Sequence, residues 1–181
     1  MNKTLSHLKT IKLHRKLVRK GCFKIGLYWQ GLTHDLSKYM PSEFNVGVKY
    51  YQGTQSPNNA ERADIGYSSA WLHHKGRNKH HYEYWIDYNS HAKEEGQELM
   101  IPVPMPDRYI AEMIIDRISA SKVYKGDQYT DASPLEYYYQ GTHRAPLHDY
   151  TRSMLLKYLE MLKEKGEDYT FAEIKKNLVH K

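Results

Sequence analysis

Cysteine occurs once, as Cys22, in a chain of 181 residues. One thiol rules out an intrachain disulfide framework and any CxxC zinc site, and it suits a reducing compartment. No stretch approaches the roughly 18 consecutive apolar residues that a membrane span requires. The N-terminal segment lacks the apolar block of a secretory signal. It also lacks acid: Lys3, Lys9, Lys12, Arg15, Lys16, Arg19, Lys20 and Lys24 all precede the first carboxylate, Asp35. A transit peptide shares that acid-poor composition, but serines are few here. The phosphate-cradling GxxxxGK and the zincin HExxH are missing. Gly66-Tyr67-Ser68-Ser69-Ala70 resembles a GxSxG nucleophile elbow only superficially, because no strand pattern surrounds it. These absences lead to the expectation of a soluble, cytoplasmic protein with no membrane partner.

Hydrophobic residues make up 40% and charged residues 27%, enough to build a core and too apolar for wholesale disorder. The formal charge is +6, concentrated in the basic N-terminal segment. Such a segment attracts phosphates of nucleic acid or of a small anion. It is more commonly one solvated helix face.

The apolar spacing is helical almost throughout. Residues 4–20 place Leu5, Leu8, Ile11, Leu13, Leu17 and Val18 at helical intervals, with Gly21 as a C-terminal cap. Further helices are predicted over about 23–32, from Pro41, over 60–74, from His80 to about Tyr88, over 107–124 and over 147–165. Ser133 to Glu136 and Thr170 to Glu173 read as capping boxes. GTQSPNN, residues 53–59, is a loop by composition, and the prolines of IPVPMP impose an extended crossing segment between residues 90 and 106.

Eleven histidines are unevenly distributed, and His73, His74, His80 and His81 fall within nine residues. Histidine is the commonest metal ligand and the natural proton carrier near neutral pH. His14 shares a helix face with Ile11 and Val18, which a hydrogen-bonded core histidine also explains. Asp116 shares its face with Tyr109, Met113, Ala120 and Val123. A carboxylate on an apolar stripe is costly unless paired or metal-bound, with a buried histidine or arginine (Arg108 or Arg117) the ordinary partner and a metal the alternative. His7, His91, His143, His148 and His180 have no supporting context and read as surface or core positions.

The string Gly31-Leu32-Thr33-His34-Asp35-Leu36-Ser37-Lys38, with His14 twenty residues before the doublet and Asp116 on a later helix, resembles the HD superfamily of metal-dependent phosphohydrolases. HDLSK is similar to the superfamily's HDxxK form. The stretch from Trp71 to Trp85 looks like the added histidine pair of its two-metal branches and like a small bacterial HD-like family. No GYP motif follows, which sets the chain apart from the cyclic-dinucleotide phosphodiesterases. The likeness runs from His14 to about Lys125.

The resemblance implies an all-α, single HD-type helical bundle of about seven to nine helices. The domain would span residues 1–181, with the metal-site core over about 4–125 and C-terminal packing helices over about 133–181. It implies that His14, His34, Asp35 and Asp116 close around one divalent cation. Asp35 would share its second oxygen with another held by His74 and His80 or His81, while His73 is structural. Two cations roughly 3.5–4 Å apart activate water and stabilise both oxygens of a phosphoryl displacement. Manganese, iron, cobalt, nickel or zinc suits such nitrogen and oxygen donors. Asp35 and Lys38 would serve catalysis, and Lys38, Arg77 and Asn78 would bind substrate phosphate. The expected function is hydrolysis of a phosphate mono- or diester, with a phosphorylated small molecule or nucleotide as partner. The same ligand plan permits an HD-type di-iron oxygenase, and the basic N-terminal helix permits a non-catalytic nucleic-acid binding module.

Overall fold

The computed structural model describes residues 2–180. Among these, nine α-helices and one small two-stranded ribbon form an all-α fold. Among the described residues, no helix is long and apolar enough to cross a membrane.

Helix α1 (Lys3–Lys24) is capped by Asn2, whose Oδ1 accepts from the Thr4 amide. Its buried face repeats at three- and four-residue intervals: His7, Ile11, His14, Val18 and Cys22. The lysines on the opposite face are exposed, but Arg15 is withdrawn from the basic segment. It donates to the carbonyls of His34 and Leu32 and lies against Tyr39. Gly21 does not end this helix. A Cβ at Gly21 would lie 2.6 Å from Ile115 Cγ2, so glycine here permits α1 to approach helix α6 (Asp107–Lys125). The chain turns at Gly26 (φ 88°), so the second helix is shorter than the sequence suggests: α2, Tyr28–Thr33.

Helix α3 (Pro41–Lys49) starts at its proline as expected. The expected helix over 60–74 is two helices, α4 (Pro57–Ile65) and α5 (Ser69–Lys75). Gly66 at φ 83° terminates α4, and Ser68 caps α5 by accepting from the Trp71 amide. Ser68 also donates to Glu61, as befits a cap and not a nucleophile. After His81 the expected helix is one 3₁₀ turn (Tyr82–Trp85) followed by strand β1 (Ile86–Tyr88). The strand pairs antiparallel with β2 (Met100–Pro102), Ile86 opposite Pro102. Aromatic and β-branched residues favour extension here, and proline is tolerated at the free edge.

Helix α6 is the spine. Ile110, Ile114, Ile115 and Ile118 are buried against Val18 and Cys22 of α1 and against Leu155, Tyr158, Leu159 and Leu162 of α8 (Asp149–Lys165). Helices α7 (Ser133–Gln140) and α9 (Glu167–Ile174) complete the packing. Neither capping box forms as read. Ser133 is already helical, its Oγ accepting from the Thr130 amide, and Thr170 lies inside α9 with Oγ1 donating to the Gly166 carbonyl. Gly166 at φ 79° and the acids Glu167 and Asp168 start α9 four residues earlier.

Candidate metal centre

Four elements bring one polar cluster together. His14 comes from the middle of α1, His34 and Asp35 from the end of α2, His74 from the last turn of α5, and Asp116 from α6. His80 and His81 follow α5 in the turn before the ribbon. Asp35 is the only non-glycine with positive φ among the described residues, at 54°. Aspartate tolerates this left-handed conformation better than most residues, and it directs the carboxylate inward. The next turn, Leu36–Tyr39, is 3₁₀. Three residues per turn set Lys38 directly over Asp35, and Lys38 Nζ lies 2.6 Å from Asp35 Oδ2.

The distances define two donor sets that share Asp35. In the first, His14 Nε2 is 3.4 Å from Asp35 Oδ2 and 3.0 Å from Asp116 Oδ1. His34 Nε2 is 3.3 Å from each of these oxygens and 3.3 Å from His14 Nε2. In the second, Asp35 Oδ1 lies 3.3 Å from His74 Nε2 and 3.5 Å from His80 Nε2, with His81 in the same group. Donors held at bond lengths of about 2.0–2.2 Å around one cation are separated by about 3.0–3.5 Å. Asp35 Oδ1, His80 Nε2 and His81 Nε2 are buried without a hydrogen-bond partner, and Asp35 Oδ2 meets the Lys38 ammonium. The residues therefore fit divalent cations: both sets can hold one.

Two glutamates that the sequence reading passed over hold the imidazoles in place. Glu112 Oε1 accepts from His34 Nδ1 at 2.9 Å and from His80 Nδ1 at 3.2 Å. Glu43 accepts from His74 Nδ1 at 2.8 Å and from His73 Nδ1 at 2.6 Å. A proton donated from Nδ1 leaves Nε2 as the free nitrogen, aimed at Asp35, and a carboxylate there raises the basicity of the ring. His34, Glu112 and His80 also form a third group of close donors. Because His34 and His80 both turn Nε2 toward Asp35, Glu112 serves them as hydrogen-bond acceptor. His73 faces Glu43 and stays outside both sets.

Electrostatics follow the geometry. Burial alone would push the carboxyls of Asp35 and Asp116 up, but the surrounding imidazoles, with Lys38 beside Asp35, hold both well below the usual range. Burial opposes charge on His34 and His74 too, and the adjacent carboxylates overcome it, raising both above an ordinary imidazole. His81 goes the other way: burial, reinforced by His80 and His74, holds it neutral.

Two expected phosphate contacts are placed differently. Arg77 is exposed, its Nη1 donating to the His73 carbonyl, and it does not line the cavity beside the donor sets. Asn78 Nδ2 donates to Ser37 Oγ at 2.9 Å and to the His74 carbonyl at 2.8 Å, tying the α5 end to the doublet turn. These bonds occupy the Asn78 amide that was expected to meet the substrate. The partner of Asp116 is neither Arg108 nor Arg117 but the His14–His34 pair. The cavity is open to His14, Lys38, His74, His81 and Asp116 and extends toward α4 and α7. Tyr137 and Gln140 reach it from α7, so the C-terminal half also shapes the site.

A family model described as a family of unknown function, DUF5662, matches residues 3–161, and the chain belongs to that family. No curated protein and no solved structure matches it.

Proposed function

We propose that this protein is a metal-dependent phosphohydrolase of the HD type, acting on a phosphate mono- or diester with a nucleotide as the favoured substrate class. The observation that carries the reading is Asp35: a buried carboxylate with each oxygen facing a different imidazole set and a lysine ammonium at 2.6 Å. Divalent cations bound there would supply Lewis acidity toward water and toward a phosphoryl oxygen. The chain's own groups do the rest. Glu112 and Glu43 fix the imidazole tautomers. Lys38, half-exposed at the cavity wall, is positioned to take a substrate phosphate oxygen without giving up Asp35. Hydrolysis forms one P–O bond from water and breaks the ester P–O bond, and the proton lost by water ends on the departing alcohol. A cavity of about 890 Å³ is large enough for the alcohol part of a nucleotide.

The test is metal analysis of the purified protein, then a phosphatase and phosphodiesterase screen with manganese, iron, cobalt, nickel and zinc. Phosphate or ester cleavage that depends on metal and is lost in Asp35→Ala supports the reading. Bound metal without cleavage of any phosphate ester, together with iron-dependent oxygen consumption, would replace it with an oxygenase.

A further inference from the structure

Beyond Lys38, the cations on the cavity lining are Arg62, Arg117 and Lys125. Lys125 is neutralised by Glu136 at 2.9 Å, and Arg62 lies over the Trp71 ring and donates to Asn59. Arg117 has no comparable engagement. It follows Asp116 directly on α6 and is partly buried, yet it forms no ion pair among the described residues. Its Nε is buried without an acceptor, and Nη1 reaches only Thr142 Oγ1, at a long 3.4 Å. Glu83 lines the same cavity, its carboxylate taking the Tyr82 hydroxyl while Oε2 is buried without a partner of its own, and no ion pair joins it to Arg117 among the described residues. A buried guanidinium N–H left without an acceptor costs stability. The planar fork of arginine matches the two oxygens of a carboxylate or phosphate.

We infer that Arg117 is a second anion-recognition residue, so that the substrate is a phosphate ester whose alcohol part carries a further oxyanion. This rests on the phosphohydrolase reading. Lys38 takes the phosphate that reacts, and Arg117, on the side of the cavity facing Thr142, takes the second anionic group. Tyr82, also on the lining, offers an apolar ring beside the part of the substrate that joins them. Glu83 accepts from a hydroxyl or amine on that part.

The test uses non-hydrolysable probes, so that it does not depend on turnover. Manganese-loaded protein is titrated calorimetrically with butylphosphonate, with α,ω-alkane diphosphonates of about two to six carbons, and with phosphonocarboxylates of the same lengths, spans that fit the cavity. At its best length a bis-anion should bind about tenfold or more tighter than butylphosphonate. Arg117→Gln should erase that advantage and leave metal content and butylphosphonate affinity unchanged. Arg117→Lys, which keeps the charge and loses the fork, should retain only part of it and serves if the glutamine variant does not fold. Comparing the two probe series tells a second phosphate from a carboxylate. If no length improves on butylphosphonate, or the advantage survives both variants, Arg117 is not an anion site. If butylphosphonate itself fails to bind the metal-loaded protein, the phosphate reading falls first and this inference with it.

Discussion

Glu112 is the residue whose substitution discriminates best between a shared two-cation centre and two unrelated histidine clusters. One oxygen, Oε1, accepts from Nδ1 of His34 in the first donor set and of His80 in the second. Glutamine in its place keeps the shape and one acceptor but removes the charge that polarises both rings. Losing such an orienting contact typically costs 10- to 100-fold in metal affinity, about 1.4–2.7 kcal/mol per ligand. Glu112→Gln should therefore weaken both cation sites by that factor. Glu43→Gln is the control: Glu43 touches His74 of the second set and His73, which is in neither, so only one site should weaken. The assay is metal titration by calorimetry, with stoichiometry from elemental analysis and circular dichroism to verify the fold. Folded stability should also fall by about 1–2 kcal/mol, because a charge-assisted hydrogen bond is replaced by a neutral one at two buried donors. A folded Glu112→Gln protein that binds both cations normally, or loses only one, would refute the shared role.

Other outcomes follow from the same geometry. Asp35→Ala removes the one carboxylate common to both sets, so it should abolish tight binding at both and eliminate the rise in melting temperature on adding manganese. Lys38→Ala should keep its metal yet bind phosphate probes about ten- to a hundredfold more weakly, as expected for a lost charge-assisted hydrogen bond; unchanged phosphate affinity would remove Lys38 from the site. Because His34 and His74 hold protons more tightly than a free imidazole, metal must displace them: affinity should rise with pH, and titration in buffers of different ionisation enthalpy should reveal proton release. His7, two turns before His14 on α1 and in neither donor set, tests the opposite sign. Burial, with Lys38 nearby, lowers it from 6.5 to about 4, so the neutral ring stabilises the fold above pH 6.5 and that contribution is lost as pH falls toward 4. The loss is on the order of 3 kcal/mol, and His7→Leu should flatten the fall in stability measured by denaturant unfolding over that window.

Much of this arrangement was legible because it is written in helical period. The i−3 and i+4 neighbours of His14 and the apolar stripe around Asp116 put both side chains on core-facing surfaces, and α1 and α6 do pack together. Glu112 was legible too and was missed: it lies four residues before Asp116, hence on the same face, where two acids one turn apart repel unless something cationic faces them. Glu43 carries no such signal, since an acid in the first turn of a helix is ordinary. Period says nothing of the segment after His81, where β1 finds its partner β2 only through a tertiary pairing. Nor does it tell a glycine that ends a helix from one that lets two helices meet. Gly21 is helical because Ile115 lies where its side chain would be, a fact of packing between residues far apart in the chain.

The charge balance of the centre explains why the glutamates matter as much as the ligands. Asp35, Glu43, Glu112 and Asp116 converge on a space where Lys38 is the one lysine in contact, and all four carboxyls are held below their ordinary range despite burial. Buried negative charge of this density must be matched by positive charge close at hand. Without metal, that charge comes from protons on imidazoles, and His34 and His74 are the two whose proton affinity rises. Their Nδ1–H groups are already committed to Glu112 and Glu43, so the nitrogen that gains or loses the exchangeable proton is Nε2, the atom facing Asp35. A divalent cation bound between the donor sets would take the place of those protons. The glutamates thus leave the same nitrogens, Nε2 of His34 and of His74, open to a proton or to a metal.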